Sequence, residues 1–478
     1  MKFKALFRGT TSAILAVLIS TASQGQAQGA TLDDLRAAAA AGNSQAQRDL
    51  GSALVFGSDG AEQDVAAGLA FMAAAADAGD IEAKAALGKL LLEGYFVPAE
   101  PDRGAALLQD AIAAGHVGAR TTLGLALLWG VNRGVDPNSA RPLLEEAASG
   151  GDVLAARVLG QYLLGGWGYD QDVDGGIALL EQAAAAGDAK ALVSLGGYHL
   201  GRSDAAADRD MALDYFERAA ALGNGEGLAQ YGSSLMWGQS DPAQAETYLR
   251  RAGELGHAAA WTTLASGAMY GYLGSGSRSK YDAYAQLARE AGEAQVDLLD
   301  AQRQMWGISM RADGPATLAG LEAAAEAGNG AAASYLIRLV RDGNGLNIRR
   351  DRAAARDYLD RFTPLLDAAE IARLDFSIGV ASTRIVADFP DLAMTYNSHP
   401  EWRSAAFGED IFKANANFAI YLLQAMMRES GTYNGPLSGM ATTSTLRAAN
   451  SECGSIPMPE RCDDSVMRAD VIGALITR

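Results

Sequence analysis

From about residue 31 to residue 360, short apolar stretches alternate with glycine-centred breaks. The clearest unit is 151–187, GDVLAARVLGQYLLGGWGYDQDVDGGIALLEQAAAAG. Ala155, Val158, Leu159, Tyr162 and Leu163 recur near the 3.6-residue period, which predicts a helix over 153–164. Gly165, Gly166 and Gly168 end it. A second helix is predicted over 174–186, with Ile177, Leu180 and Ala184 on one face and Asp174 as its N-cap, where a carboxylate accepts an orphan backbone N–H. Gly187 suits the left-handed residue that closes it, and Asp188 can cap the next helix.

The unit recurs. Gly42, Gly79, Gly115, Gly151, Gly187, Gly223, Gly256, Gly292 and Gly328 are spaced by 36 residues, with one interval of 37 and one of 33. Nine residues after the junction stand Gly51, Gly88, Gly124, Gly160, Gly196 and Gly232, replaced later by Ala265, Ala301 and Ile337. Small residues there let two helices approach closely. One helix pair cannot bury its apolar face alone, so neighbours must stack into a continuous core. The expected fold is all-α: a right-handed α-solenoid of about nine 36-residue helix pairs, with a small, mainly helical C-terminal domain.

The run A-x-x-x-L-G-x-Y-x-x-G at Ala155, Leu159, Gly160, Tyr162 and Gly165, followed by Asp174, Ala178 and AAAAG, resembles the Sel1-like repeat, a cousin of the tetratricopeptide repeat. The resemblance covers about 31–360, with a worn tenth unit near 363–379, and the Leu-Gly pair is lost in the last three repeats. It implies a scaffold that binds other proteins in a curved groove. Fold alone names no partner.

The N-terminus adds an address. Lys2, Lys4 and Arg8 precede a short apolar stretch at 13–19, and Gly25-Gln26-Ala27 offers small residues for cleavage. This is the pattern of a secretory signal over 1–27, too short to span a bilayer comfortably. The expected location is the periplasm, with no membrane-spanning segment. A formal net charge of −18 repels phosphate backbones, so nucleic acid is not an expected partner.

Catalytic chemistry is not indicated. The sequence contains no HExxH, GxSxG or P-loop, and the glycines at 223, 225 and 227 sit on a repeat junction with no preceding strand. His116 and His257 follow junction glycines as cap variants, and His199 and His399 lack a ligand at i+4. No catalytic residue is assigned and no cofactor is expected, with calcium the one ion to consider. Asp170, Asp172, Asp174, Gly175 and Glu181 spell D-x-D-x-D-G-x5-E, in which alternating carboxylates surround a hard cation. The competing account is a capped turn, because Ala178 and Leu179 should already be helical.

Phe56, Trp129, Trp237, Tyr270 and Trp306 each stand one residue before the glycine that ends a first helix. Equivalent positions in a solenoid align, so these five are either a partner-binding row or wedges between repeats.

After about residue 379 the rhythm stops. The chain therefore divides into 1–27, a solenoid over 31–378, and a C-terminal domain over 379–478. One helix is predicted over 410–429 and another over 442–449. Leu423, Gln424, Gly431, Tyr433, Gly435, Pro436, Leu437, Gly439, Thr445 and Ala448 resemble the three-helix peptidoglycan-binding-like module, with Ser438 in place of its Asp. That resemblance implies wall binding around Tyr433, Gly435, Pro436 and Gly439; the other account is a cap on the solenoid. Cys453 and Cys462, across a Pro/Gly loop, suit a disulfide in an oxidising compartment.

The expected function is an exported, non-catalytic adaptor that binds an envelope protein through its repeat groove. Two alternatives stand beside it: a periplasmic inhibitor of a sensor kinase, and a protein that binds peptidoglycan or another polysaccharide.

Overall fold

The computed structural model describes residues 31–201, 206–238, 240–274, 277–456 and 461–477. The stretch 1–27, expected to be a secretory signal, lies outside them. Every regular element among the described residues is helical, and none is long and apolar enough to cross a membrane. The chain forms two compact units, which divide between Leu222 and Gly223.

The first unit contains α1 (Leu32–Ala40), α2 (Ser44–Phe56), α3 (Val65–Asp77), α4 (Ile81–Glu93), α5 (Pro101–Ala113), α6 (Val117–Trp129), α7 (Pro137–Ser149), α8 (Val153–Gly165), α9 (Val173–Ala185), α10 (Ala189–Leu200) and α11 (Ala206–Ala221). Each even-numbered helix packs on the helix after it, and α4, α6, α8 and α10 also touch in sequence. Stacked helix pairs are the predicted repeat.

The junction works as the sequence requires. Gly187 has φ +89°, and the Asp188 N–H reaches back to the Ala183 carbonyl at 3.0 Å, a Schellman closure. The Asp188 side chain then accepts from the Ala191 N–H at 3.0 Å as N-cap of α10. One dipeptide thus closes a helix and opens the next. All nine junction glycines have φ between +75° and +99°.

The register of the second helices differs from expectation. The N-cap of α9 is Asp172, whose Oδ1 accepts from the Gly175 N–H at 2.9 Å, and Asp174 lies in the first turn. Asp64, Asp136, Asp241, Asp313 and Asp351 cap the corresponding helices. Two aspartates stood in reach of the same turn, and the one in extended conformation took the cap.

Gly160 and Gly176 show why small residues recur. A Cβ on Gly160 would lie 3.0 Å from the Gly176 carbonyl oxygen, and one on Gly176 would lie 2.9 Å from that of Gly160. The backbones of α8 and α9 are in contact there, and Leu159 and Leu180 beside them are fully buried.

The second unit begins with α12 (Gly225–Trp237), α13 (Pro242–Glu254), α14 (Ala259–Tyr270), α15 (Tyr281–Glu290), α16 (Gln295–Trp306), α17 (Gly314–Glu326), α18 (Gly330–Asp342) and α19 (Arg352–Phe362). Ala265, Ala301 and Ile337, which replace the crossing glycine, are all buried, so side chains fill these later contacts. Then come α20 (Ala368–Ser382), α21 (Phe389–Asn397), α22 (Ala405–Ala414), α23 (Ala416–Glu429), α24 (Thr443–Glu452), α25 (Arg461–Asp464) and α26 (Ala469–Leu475).

The boundary expected between 378 and 379 falls inside α20, whose Phe376 and Val380 share one core with Phe407, Phe418 and Leu475. The helix over the expected tenth unit therefore contributes to the C-terminal core. The single helix predicted over 410–429 is two helices that meet at Asn415. Its backbone is extended, its Oδ1 caps α23 at the Phe418 N–H, and its Nδ2 donates to the Val380 and Thr383 carbonyls. Side chain and backbone together turn the chain at this one residue.

Candidate functional site: an aromatic row at the helix ends

The glycine after each first helix sets the site. Gly57, Gly130, Gly271 and Gly307 have left-handed backbones that stop α2, α6, α14 and α16, leaving the preceding aromatic at the helix tip. Gly238 stops α12 in a right-handed conformation. Phe56, Trp129, Trp237, Tyr270 and Trp306 are all solvent-exposed, between 37% and 52%. A core wedge is buried on both faces. These rings are not.

Phe56, Trp129, Trp237 and Tyr270 are each held by a neighbouring side chain. In the first unit Phe56 meets Phe96 edge-on, with centroids 5.1 Å apart. The Trp129 indole N–H donates to the Tyr162 hydroxyl, and Tyr162 meets Trp167 edge-on at 5.9 Å. Burial raises the Tyr162 pKa and this hydrogen bond opposes the rise, so the phenol stays neutral at physiological pH. In the second unit Trp237 packs edge-on to Tyr272 at 5.1 Å, and the Tyr270 hydroxyl donates to Gln302 Oε1 at 3.3 Å. Rings held on one side and wet on the other combine rigidity with accessible apolar area, the properties of an interface anchor.

Three members were missed in the sequence: Phe96, Trp167 and Tyr272. Where the residue before the glycine is Glu93 or Gly165, an aromatic follows the glycine instead, as Phe96 or Trp167. Both are exposed. The loop supplies the ring that the helix lacks. The signal was visible as aromatics one or two residues beyond Gly94 and Gly166, outside the strict repeat position.

The calcium candidates are not brought together. Asp172 is occupied as a cap, Asp174 stands in the first turn of α9, and Glu181 lies two turns further on, where it accepts from the Tyr215 hydroxyl at 3.3 Å. Helix formation from Val173 extends the segment along an axis, whereas a calcium loop must wrap. Among the described residues no group of three or more His, Cys, Asp or Glu is arranged to hold a metal ion.

The wall-binding motif is turned inward. Tyr433 is buried and its hydroxyl donates to the Pro436 carbonyl at 3.0 Å, while its ring lies against Gly435. Gln424 is fully buried; its Oε1 accepts from the Ser438 and Gly439 N–H groups, both at 2.9 Å, and its Nε2 donates to Met440 O and Thr445 Oγ1, both at 3.0 Å. These residues brace a loop. Of the four assigned to wall contact, Tyr433 and Gly439 are buried and Gly435 is half-buried, leaving Pro436 exposed. Cys453 and Cys462 are disulfide-bonded, with Cα atoms 6.2 Å apart.

The histidines are structural by their contacts. His116 Nδ1 accepts from the Ala119 N–H at 2.9 Å, the cap role expected of it. His199 is buried, with Nδ1 2.9 Å from Asp208 and its ring stacked on Tyr215. His399 stacks on Trp402 beside Glu401. His257 stands just before α14, which has no side-chain cap.

The Sel1 repeat family model matches residues 44–80, 81–116, 121–152, 153–188, 189–224 and 226–257. Among solved structures, the chain is similar to c5321, a protective antigen present in uropathogenic Escherichia coli strains that displays an SLR fold. The TM-score is 0.53 at 21% identity, over 73% of this chain and 78% of that one. A Sel1 repeat protein from Oxalobacter formigenes matches with a TM-score of 0.43 at 21% identity, over 72% of this chain and 89% of that one. No curated protein matches. Sel1 repeats typically form non-enzymatic scaffolds for protein interaction.

Proposed function

We propose that this Sel1-repeat protein is an exported, non-catalytic adaptor, and that it holds an envelope protein on the aromatic row of its repeats. The observation that carries the proposal is that Phe56 and Trp129 in the first unit, and Trp237, Tyr270 and Trp306 in the second, are all exposed at the ends of first helices, the first four of them also held by a neighbouring side chain. Rings fixed before binding lose little side-chain freedom on association, so their apolar area converts efficiently into affinity. The disulfide and the secretory pattern over 1–27 support export to the periplasm.

The experiment has two arms. Fractionation of cells producing the full chain tests location: release with the periplasmic contents supports the proposal, and retention with the cytosol overturns it. Replacing Trp129 and Trp237 by Ala tests the row. Loss of partner binding at an unchanged melting temperature supports a binding surface. Unchanged binding with a lowered melting temperature overturns it in favour of wedges.

A further inference from the structure

The C-terminal core contains a cleft of about 510 Å³, between the end of α21, the last turns of α23, and α26. This volume lies within the range of about 300–1,000 Å³ usual for small-molecule sites. Leu422, Met426, Leu475 and Ile476 supply an apolar wall. Two polar groups of the lining lack the partners that such groups normally have.

The first is Tyr396. Its ring is buried, and its hydroxyl is buried with no hydrogen-bond partner among the described residues. Buried hydroxyls are nearly always paired, because leaving one unmade costs about 1–3 kcal/mol. The second is Arg403. Its guanidinium is exposed on the cleft and forms no ion pair among the described residues, in a chain with an excess of acid. The two groups sense each other: burial pushes the Tyr396 phenol up to about 12, and the Arg403 charge opposes that rise. Tyr396 is therefore a hydrogen-bond donor at any physiological pH, beside a free cation.

We propose that this cleft binds a small amphiphile with an apolar body and a carboxylate head, the head accepting from Tyr396 and paired with Arg403. A neutral head would leave Arg403 unused. A cationic head would face it. Glu429 and Glu452 on the same lining add negative charge that repels a dianion more than a single carboxylate, so the head carries one charge and sits against Arg403. The apolar wall accepts an unbranched or lightly branched chain, since Met426 adapts its shape at little cost.

Calorimetry of the full chain with octanoate, octanol and octylamine tests the assignment. Octanoate should bind at least about tenfold more tightly than the other two, the difference expected when one charge-assisted hydrogen bond is lost. Tyr396→Phe and Arg403→Gln should each weaken octanoate by about tenfold. Neither should lower the melting temperature without ligand, because one removes an unpaired hydroxyl and the other an exposed, unpaired charge. Equal affinity for the three compounds, no binding of any, or full octanoate affinity in both variants would overturn the proposal.

Discussion

Arg341 Nη2 lies 2.7 Å from Asp410 Oδ1 and Nη1 lies 3.1 Å from Oδ2, so two side chains 69 positions apart form a buried two-pronged pair. Arg341, at the end of α18, is fully buried and is also held by Asp342 and Ser377. Burial alone would lower its pKa, but the hydrogen bonds it donates to the Asp342 and Asp410 carboxylates reverse that and keep it charged. The pair fastens α22 to the repeats within the second unit.

Removing one partner should be costly. Arg341→Met takes both prongs from buried Asp410 and leaves it only the longer 3.5 Å contact with Arg338, so the loss should approach the cost of breaking a buried pair, about 3–5 kcal/mol. Urea unfolding followed by circular dichroism should show that loss. Removing both partners, as Arg341→Met with Asp410→Leu, should restore most of it. An additive double variant would show that the two do not act as a pair.

The helix crossing at Gly160 is equally specific. Gly160→Ala places a methyl 3.0 Å from the Gly176 carbonyl oxygen and 2.9 Å from the Leu180 side chain. Overpacking of this kind costs about 1–3 kcal/mol, even though alanine favours helix. A Gly197→Ala control, with open space around its Cβ, should be neutral or stabilising. Differential scanning calorimetry of the two variants separates close packing from helix propensity.

Glu370 predicts the acid limb of stability. Burial raises its pKa, but the hydrogen bond from Ser334 and the Arg338 and Arg373 charges outweigh this and hold it below the ordinary 4.5. A carboxyl lowered in the folded state adds stability that is fully present above about pH 4.5 and is lost as pH falls through the lowered value. Glu370→Gln should therefore be less stable at pH 7. Its melting temperature should also fall less steeply than that of the parent below pH 4.5. Parallel curves would contradict this.

The capped turn at Asp172 makes a further prediction. Millimolar calcium should leave the melting temperature unchanged, because the four carboxylates of 170–181 do not converge. A rise that Asp172→Asn abolishes would contradict the geometry.

These residues show what was legible in sequence. The repeat, its junction glycines and the close helix crossing are local and periodic, so spacing revealed them. The cap at Asp172 was misplaced by two residues because periodicity fixes a helix face better than its first turn. Asn415 was hidden inside an apolar pattern that continues across the break. Its role depends on carbonyls of Val380 and Thr383, supplied from α20. The Arg341–Asp410 pair left no sequence signal, since nothing local links positions so far apart. The Tyr433 motif was legible as a pattern, but its spacing could not show that the ring points into its own loop. Phe96 and Trp167 were missed because they follow the helix-ending glycine and do not precede it.

The central claim is that the aromatic row binds a protein partner. Its most direct test compares the full chain with a Trp129→Ala, Trp237→Ala, Trp306→Ala variant as bait in a native envelope extract. Substitution is preferable to truncation after α20, which would open the core shared by Phe376 and Phe407. The account predicts one protein retained by the parent and released by the variant at equal melting temperature. Equal retention by both, or retention of wall polysaccharide alone, would contradict it.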